Sequence, residues 1–116
     1  MSFGDYIRGQ RESLSQKSRR FSLRAVAGRV GIEPSYLSKV ERDKQPPTGE
    51  ETIVAIANEL GLDADMLLAM AGKVSSDLQA AIIGRPQIFA QIIRELKDLP
   101  EHAILRLVRE VRDGNW

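Results

Sequence analysis

The 116-residue chain contains no cysteine, and its single histidine is His102. Without cysteine the chain can form neither a disulfide nor a thiolate metal site. A lone histidine provides no catalytic pair, and no Gly-rich phosphate loop is present. Helix capping and a solvated interhelix turn account for the two close carboxylate pairs, Asp63 with Asp65 and Asp98 with Glu101. We therefore expect no enzymatic activity, no metal site and no cofactor.

The chain also lacks long apolar runs. No stretch approaches the ~20 residues needed to span a bilayer, and residues 1–6 do not show the basic segment and apolar run of a signal peptide. We expect a cytoplasmic protein with no membrane partner. A hydrophobic content of 42% and a charged content of 28% are typical of a globular domain with an ordinary core.

The net charge of +1 conceals a marked asymmetry. Residues 1–49 carry ten Lys or Arg and five Asp or Glu, for +5, whereas residues 50–116 carry seven and eleven, for −4. This division indicates that only the first half approaches a polyanion. Chance segregation of surface charge is the alternative.

Apolar residues recur at spacings of three and four, which predicts an all-α protein without strands. Ser22 and Asp63 are good N-caps, and Gly31, Gly61 and Gly72 are typical of helix ends. These signals predict five helices in the first 72 residues, at 3 to about 13, 23–30, 34–42, about 50–60 and 64–71.

The connections and the last third of the chain are also helical or loop-like. Residues 15–20 extend the first helix or form a loop, and residues 44–49 form a loop stiffened by two prolines. Further on, Ser76 is predicted to cap a turn. Prolines then open two helices, at 86–99 and 100 to about 113.

One segment fits the requirements of two helices that cross at a tight turn. The crossing needs a small residue, the turn needs a residue tolerant of positive φ, and the second helix must be apolar only on its inner side. Ala27 is the small residue, and Gly31 follows in the turn. Leu37 and Val40 are the inner anchors, which leaves the outer side polar.

The segment resembles the Cro and phage-repressor type of helix-turn-helix, also called the XRE family. The residues that carry the resemblance are 22–27, 31–42, the Pro46-Pro47 pair and 60–65. The resemblance implies a five-helix, phage-repressor-like bundle over residues 1–72, with the helix-turn-helix at about 23–42 and a C-terminal helical extension at 73–116. Residues 13–20 make a longer first connection than the family usually has.

The resemblance further implies that helix 34–42 lies in the major groove of double-stranded DNA. Lys39 can then donate to guanine O6 or N7, Ser35 can pair with several bases, and Glu33 can accept from cytosine N4. The Tyr36 ring can contact a thymine methyl group. Solvation of Lys39, partial burial of Tyr36 and helix capping by Glu33 are the alternatives.

Phosphate contacts position such a protein without reading sequence. The start of helix 23–30 is a natural anion site, because its free N–H groups and the positive end of its dipole coincide there. The candidate phosphate-contact residues are Ser22, Arg24, Arg42, Lys44, Gln45, Arg19 and Arg20. In the resembled family a glutamate at the position of Glu41 commonly pairs with an arginine of the first helix. Arg11 is the expected partner, in a structural role.

The apolar stripes of the last two helices exceed what two short helices need to pack on a small bundle. Helix-turn-helix domains commonly bind as two-fold dimers on half-sites about one DNA turn apart. We therefore predict a homodimer, with completion of the monomer core as the alternative. The predicted dimer or partner interface comprises Phe89, Ile92, Leu96, Ile104, Leu107, Val111 and Trp116.

The leading hypothesis is a sequence-specific transcriptional regulator, a dimeric repressor that binds an inverted repeat. The alternative is an interaction protein of the antitoxin or adaptor type. In that case the C-terminal helices would bind a toxin or a regulatory protease, and DNA binding would be secondary.

Overall fold

The computed structural model describes residues 1–47 and 49–116, and within these ranges the regular elements are all helical. Thr48, part of the predicted loop 44–49, lies outside the described residues. The α-helices are α1 (Phe3–Ser15), α2 (Leu23–Val30), α3 (Pro34–Glu41), α4 (Glu50–Leu60), α5 (Ala64–Met70), α6 (Ser76–Gly84), α7 (Pro86–Leu96) and α8 (Glu101–Asp113). A turn of 3-10 helix at Arg19–Phe21, which we call the basic turn, joins α1 to α2.

The described residues divide into two compact units, Met1–Ser75 and Ser76–Trp116. The first unit is built on a hydrophobic core to which each of its five α-helices contributes. The core residues are Phe3, Ile7, Val26, Ala27, Leu37, Val40, Ile53, Ile56, Ala57, Leu60, Leu67 and Leu68. Helix α3 contributes Leu37 and Val40 to this apolar core, Tyr36 packs against it and Glu41 is also buried, whereas Ser35 and Lys39 on its other side are exposed.

Local capping signals explain where several helices begin and end. Ser22 Oγ accepts a hydrogen bond from the Ala25 amide at 3.1 Å, and Asp63 accepts from the amides of the next helix's first turn. Gly31 and Gly61 adopt the left-handed conformation after α2 and α4, which a residue without Cβ does at little cost. The predicted bounds of α2 and α4 are confirmed.

Other predicted bounds were wrong by a few residues. Helix α1 continues to Ser15, and the end of the long connection contributes Arg19 and Arg20 to the basic turn, which the set of five predicted helices omitted. Ser76 is the first residue of a full helix rather than the cap of a turn. Helix α7 ends at Leu96, because Pro100 disfavours helical geometry at Leu99. Pro100 itself is extended and precedes α8.

The start of α1 lies directly against the end of α3. The Gly4 amide donates to Asp43 Oδ1 at 3.1 Å, and the Ser2 hydroxyl donates to Asp43 Oδ2. Asp43 holds this position with a φ of 57°, a left-handed conformation that aspartate tolerates better than most residues. A Cβ on Gly4 would lie 2.7 Å from the Glu41 carbonyl oxygen and closer still to that of Val40.

We expect Gly4→Ala to lower the free energy of unfolding by about 1–3 kcal/mol, because the methyl group would force apart two helix backbones. Gly9 lies in the same helix with open space around its Cβ position. Gly9→Ala should therefore raise the free energy of unfolding by about 0.5–1 kcal/mol through helix propensity. Urea denaturation measures both. Equal stability of the two variants would contradict the close contact.

The second unit differs from the first in the burial of its helices. Within Ser76–Trp116, which is fully described, none of the residues of α6, α7 and α8 is buried. Trp116 is 91% exposed, and its indole N–H donates to the Val111 carbonyl at 2.8 Å, at the end of α8. In the part of the chain that the structure describes, every helix is too short or too polar to cross a lipid bilayer.

Candidate nucleic-acid interface

The crossing of α2 and α3 is fixed by buried contacts. Ala27 is fully buried, and its carbonyl accepts hydrogen bonds from the amides of Gly31 and Ile32 at 2.9 and 3.0 Å. Gly31, with a φ of 87°, makes the turn between the helices. Leu37 and Val40 point into the core with 1% and 2% exposure. The predicted small residue, turn and anchors are confirmed in these places.

The opposite side of α3 is open to solvent. Ser35 and Lys39 are exposed, and Glu33 is exposed at the N-cap position. The Glu33 side chain caps no amide among the described residues, so its carboxylate is not used to begin the helix. These three side chains, which differ in hydrogen-bonding type, therefore form a polar surface on an element whose other side is anchored.

Tyr36 is placed differently from its neighbours on α3. Its ring is half-buried and packs against the core of the first unit, and its hydroxyl donates to the Pro46 carbonyl at 3.4 Å. This is the partial burial that sequence reasoning left open as the alternative for Tyr36. The contact joins α3 to the loop that follows it, so the part of the ring that stays exposed is held in place.

The predicted phosphate-contact residues share one property: all seven are exposed, namely Ser22, Arg24, Arg42, Lys44, Gln45, Arg19 and Arg20. Ser22 sits at the positive end of the α2 dipole, and Arg42 donates through Nε to the Ser38 carbonyl at 3.3 Å. Exposure leaves their charged or polar groups accessible to a polyanion.

A buried ion pair connects α1 to the end of α3. Arg11 Nε lies 2.6 Å from Glu41 Oε2, and Nη2 lies 2.9 Å from Oε1, a two-point contact between buried side chains. The hydrogen bond that Arg11 donates to Glu41 raises the pKa of Arg11 and outweighs the opposing effect of burial. The predicted structural pair is confirmed. Its third contact, from Arg11 Nη1 to the Phe21 carbonyl at 3.2 Å, was not predicted.

Sequence reasoning missed the role of Arg29. Its Nε lies 2.5 Å from Glu59 Oε2 of α4, and its Nη2 donates to the Arg20 carbonyl at 2.6 Å. The guanidinium also lies over the Phe21 ring, 5.8 Å from its centre. Glu59 is distant in sequence, and the contacts with Arg20 and Phe21 join two separate elements, so helical spacing signals none of them.

A family profile described as a helix-turn-helix domain matches residues 2–70. The chain belongs to the helix-turn-helix domain family. Two relatives in Mycobacterium tuberculosis, from strains CDC 1551 / Oshkosh and ATCC 25618 / H37Rv, are each named as an uncharacterized HTH-type transcriptional regulator. Each is 36% identical over 69 residues, which is 60% of this chain and 45% of the relative.

The chain therefore spans less than half the length of these relatives, and the residues that the family profile matches lie in the first unit. No solved structure matches the chain at a significant level. The family thus accounts for α1 to α5 and the crossing at Ala27, whereas α6 to α8 fall outside the matched residues.

Proposed function

We propose that the protein is a sequence-specific transcriptional regulator of the Cro and phage-repressor type, a dimeric repressor that reads the major groove of double-stranded DNA with α3. The observation that carries this proposal is the two-sided construction of α3. Its inner side is fixed over Ala27 by Leu37 and Val40, while its outer side is polar and exposed. A rigid helix with a free polar face is what major-groove reading requires.

Base contacts are assigned by the hydrogen-bonding chemistry of the exposed side chains. Lys39 donates to guanine O6 or N7, Ser35 pairs with more than one base, and Glu33 accepts from cytosine N4. Because the Tyr36 hydroxyl contacts the Pro46 carbonyl, its contribution comes from the ring edge against a thymine methyl group. Phosphate contacts come from the seven exposed residues named above and set the position of α3 on the duplex.

The second unit supplies the dimer interface in this proposal. Over the described range 86–113, eight large apolar side chains are 39–64% exposed: Ile88, Ile92, Ile93, Leu99, Leu105, Leu107, Val108 and Val111. Monomeric proteins rarely expose an apolar surface of this extent. A second copy of the same helices covers the part of this surface that contains Ile92, Leu107 and Val111, as the two-fold symmetry of an inverted repeat also requires.

Replacing Lys39 tests the reading of bases. On an operator selected from random-sequence DNA, Lys39→Ala should weaken binding by about 1–3 kcal/mol, because one donor to a base edge is lost. Its affinity for non-specific DNA should change much less. Fluorescence anisotropy with both duplexes measures the difference between the two losses.

Two other lysines provide the controls for this experiment. Lys44→Ala, in the loop after α3, should weaken both duplexes alike, because a phosphate contact carries no sequence information. Lys73→Ala, exposed at the end of the first unit, should change neither. An equal loss on both duplexes for Lys39→Ala would contradict the assignment of Lys39 to a base. Absence of sequence preference in the unaltered protein would favour the antitoxin or adaptor alternative.

A further inference from the structure

The basic turn carries two exposed arginines directly before the start of α2. Arg19 and Arg20 are exposed, and Ser22, the N-cap of α2, follows within two residues. The turn is itself capped, because Ser18 Oγ accepts a hydrogen bond from the Arg20 amide at 3.2 Å. Two cations are thus placed beside the positive end of a helix dipole.

Two further arginines hold the backbone of this turn from other helices. Arg11 of α1 donates to the Phe21 carbonyl at 3.2 Å, and Arg29 of α2 donates to the Arg20 carbonyl at 2.6 Å. The Arg29 guanidinium also lies over the Phe21 ring at cation–π distance, while Glu59 of α4 pairs with its Nε. Consecutive carbonyls are therefore each bound by a guanidinium, and the turn is connected to three helices.

We propose that the basic turn is a preorganised phosphate-binding element for the DNA backbone, and that Arg29 is its positioning residue. The inference rests on the proposed function, which already assigns Arg19 and Arg20 to phosphate, and adds to it the ordering of their turn and the role of Arg29. A turn that is ordered before DNA arrives loses little conformational freedom on binding, so its two arginines contribute more affinity than mobile ones. Arg29 acts through the Arg20 carbonyl and the Phe21 ring.

The contacts of Arg29 assign it to positioning rather than to phosphate binding. Its side chain is 26% exposed, and the Glu59 carboxylate lies 2.5 Å from Nε. A guanidinium shared between a carboxylate, a carbonyl and an aromatic ring uses its planar fork, which a lysine ammonium cannot reproduce. Arg29→Lys therefore keeps the positive charge but removes the planar group that contacts the carboxylate, the carbonyl and the ring together.

The experiment measures affinity for a short random-sequence duplex over a series of salt concentrations. The double variant Arg19→Ala with Arg20→Ala should lower the magnitude of the salt slope by about 1.8, since each phosphate contact contributes about 0.9. Arg29→Lys, at unchanged net charge, should lower the slope by about 1 and the affinity roughly threefold to tenfold at moderate salt. Circular dichroism verifies that each variant is folded.

Glu59→Gln separates positioning from simple charge. Removing a negative charge should by itself tighten binding to a polyanion, whereas release of Arg29 from its partner should weaken binding and reduce the slope. The matched controls are Arg8→Lys and Glu12→Gln, which alter an exposed ion pair within α1. These controls should leave the slope unchanged, and Glu12→Gln should bind equally or slightly tighter.

Weaker binding and a smaller slope for both Arg29→Lys and Glu59→Gln support the inference. An unchanged slope for Arg29→Lys, or tighter binding for Glu59→Gln, overturns it while leaving DNA binding by the unaltered protein intact. If the unaltered protein shows no salt-dependent binding to any duplex, the proposed function fails, and the inference fails with it. If Lys39→Ala loses affinity for the selected operator and keeps its affinity for the random-sequence duplex, that result agrees with the proposed function and does not contradict the inference.

Discussion

Replacing Glu41 by alanine should lower the free energy of unfolding by about 3–5 kcal/mol, because it leaves the Arg11 guanidinium buried without its counter-charge. The two side chains are only 10% and 5% exposed, so water cannot take the place of the carboxylate. Both hydrogen bonds to Glu41 are lost at once, and burial, which opposes the charged form of Arg11, is no longer offset. Urea denaturation at neutral pH measures the loss.

Two comparisons make this result specific to the buried pair. Glu12→Ala removes the carboxylate of the ion pair with Arg8, whose side chains are 52% and 49% exposed, and should cost less than about 1 kcal/mol. Arg11→Met combined with Glu41→Leu should recover much of the stability, since apolar pairs of similar volume replace buried ion pairs well. If Glu41→Ala and Glu12→Ala had the same free energy of unfolding, the Arg11–Glu41 pair would not have the structural role assigned to it.

The proposed dimer interface predicts that Leu107→Glu converts the protein from a dimer into a monomer at micromolar concentration. The substitution should also weaken binding to an inverted-repeat operator at least 100-fold. A carboxylate in the apolar stripe would have to be buried without a partner when two copies meet. Because linkage of two reading domains raises affinity by roughly 10²–10⁴, its loss is a large effect. Sedimentation equilibrium measures the mass, and a gel-shift titration measures the affinity.

Leu105→Glu is the matched control for the dimer interface. Leu105 is on the same helix and is 51% exposed, compared with 39% for Leu107, but it lies outside the stripe of Ile104, Leu107 and Val111. This variant should remain dimeric with nearly unaltered operator affinity. A Leu107→Glu protein that stays dimeric would show that the second unit is not the interface, and a partner protein would then be the candidate for its apolar surface.

Features that depend on neighbouring residues were open to prediction from the sequence. Ser22 begins α2 because its hydroxyl reaches the Ala25 amide within the same turn. Gly31 ends α2 because glycine adopts positive φ without a steric cost. Pro34 suits the first turn of α3 because its missing N–H is not needed there. The crossing over Ala27 follows from these signals, since each of them fixes one part of a short segment.

Features that depend on distant residues were not open to prediction. The basic turn is held by Arg11 and Arg29, and nothing local distinguishes these arginines from the solvated ones. The same holds for Asp43, whose carboxylate binds the start of a helix about 40 residues earlier. Arg11 with Glu41 was predicted only because the resemblance to a family supplied the pairing.

The contacts between the start of α1 and the end of α3 bear on how the proposed DNA-reading surface moves. Asp43 binds the Gly4 amide, and Glu41 binds Arg11 one to two turns further along α1. We consequently expect α3 to open by local unfolding only when α1 detaches with it, so that the two helices exchange their amide hydrogens as one cooperative unit. In the proposed function DNA therefore meets a helix that is already ordered, and we expect orientation rather than refolding to limit the association rate.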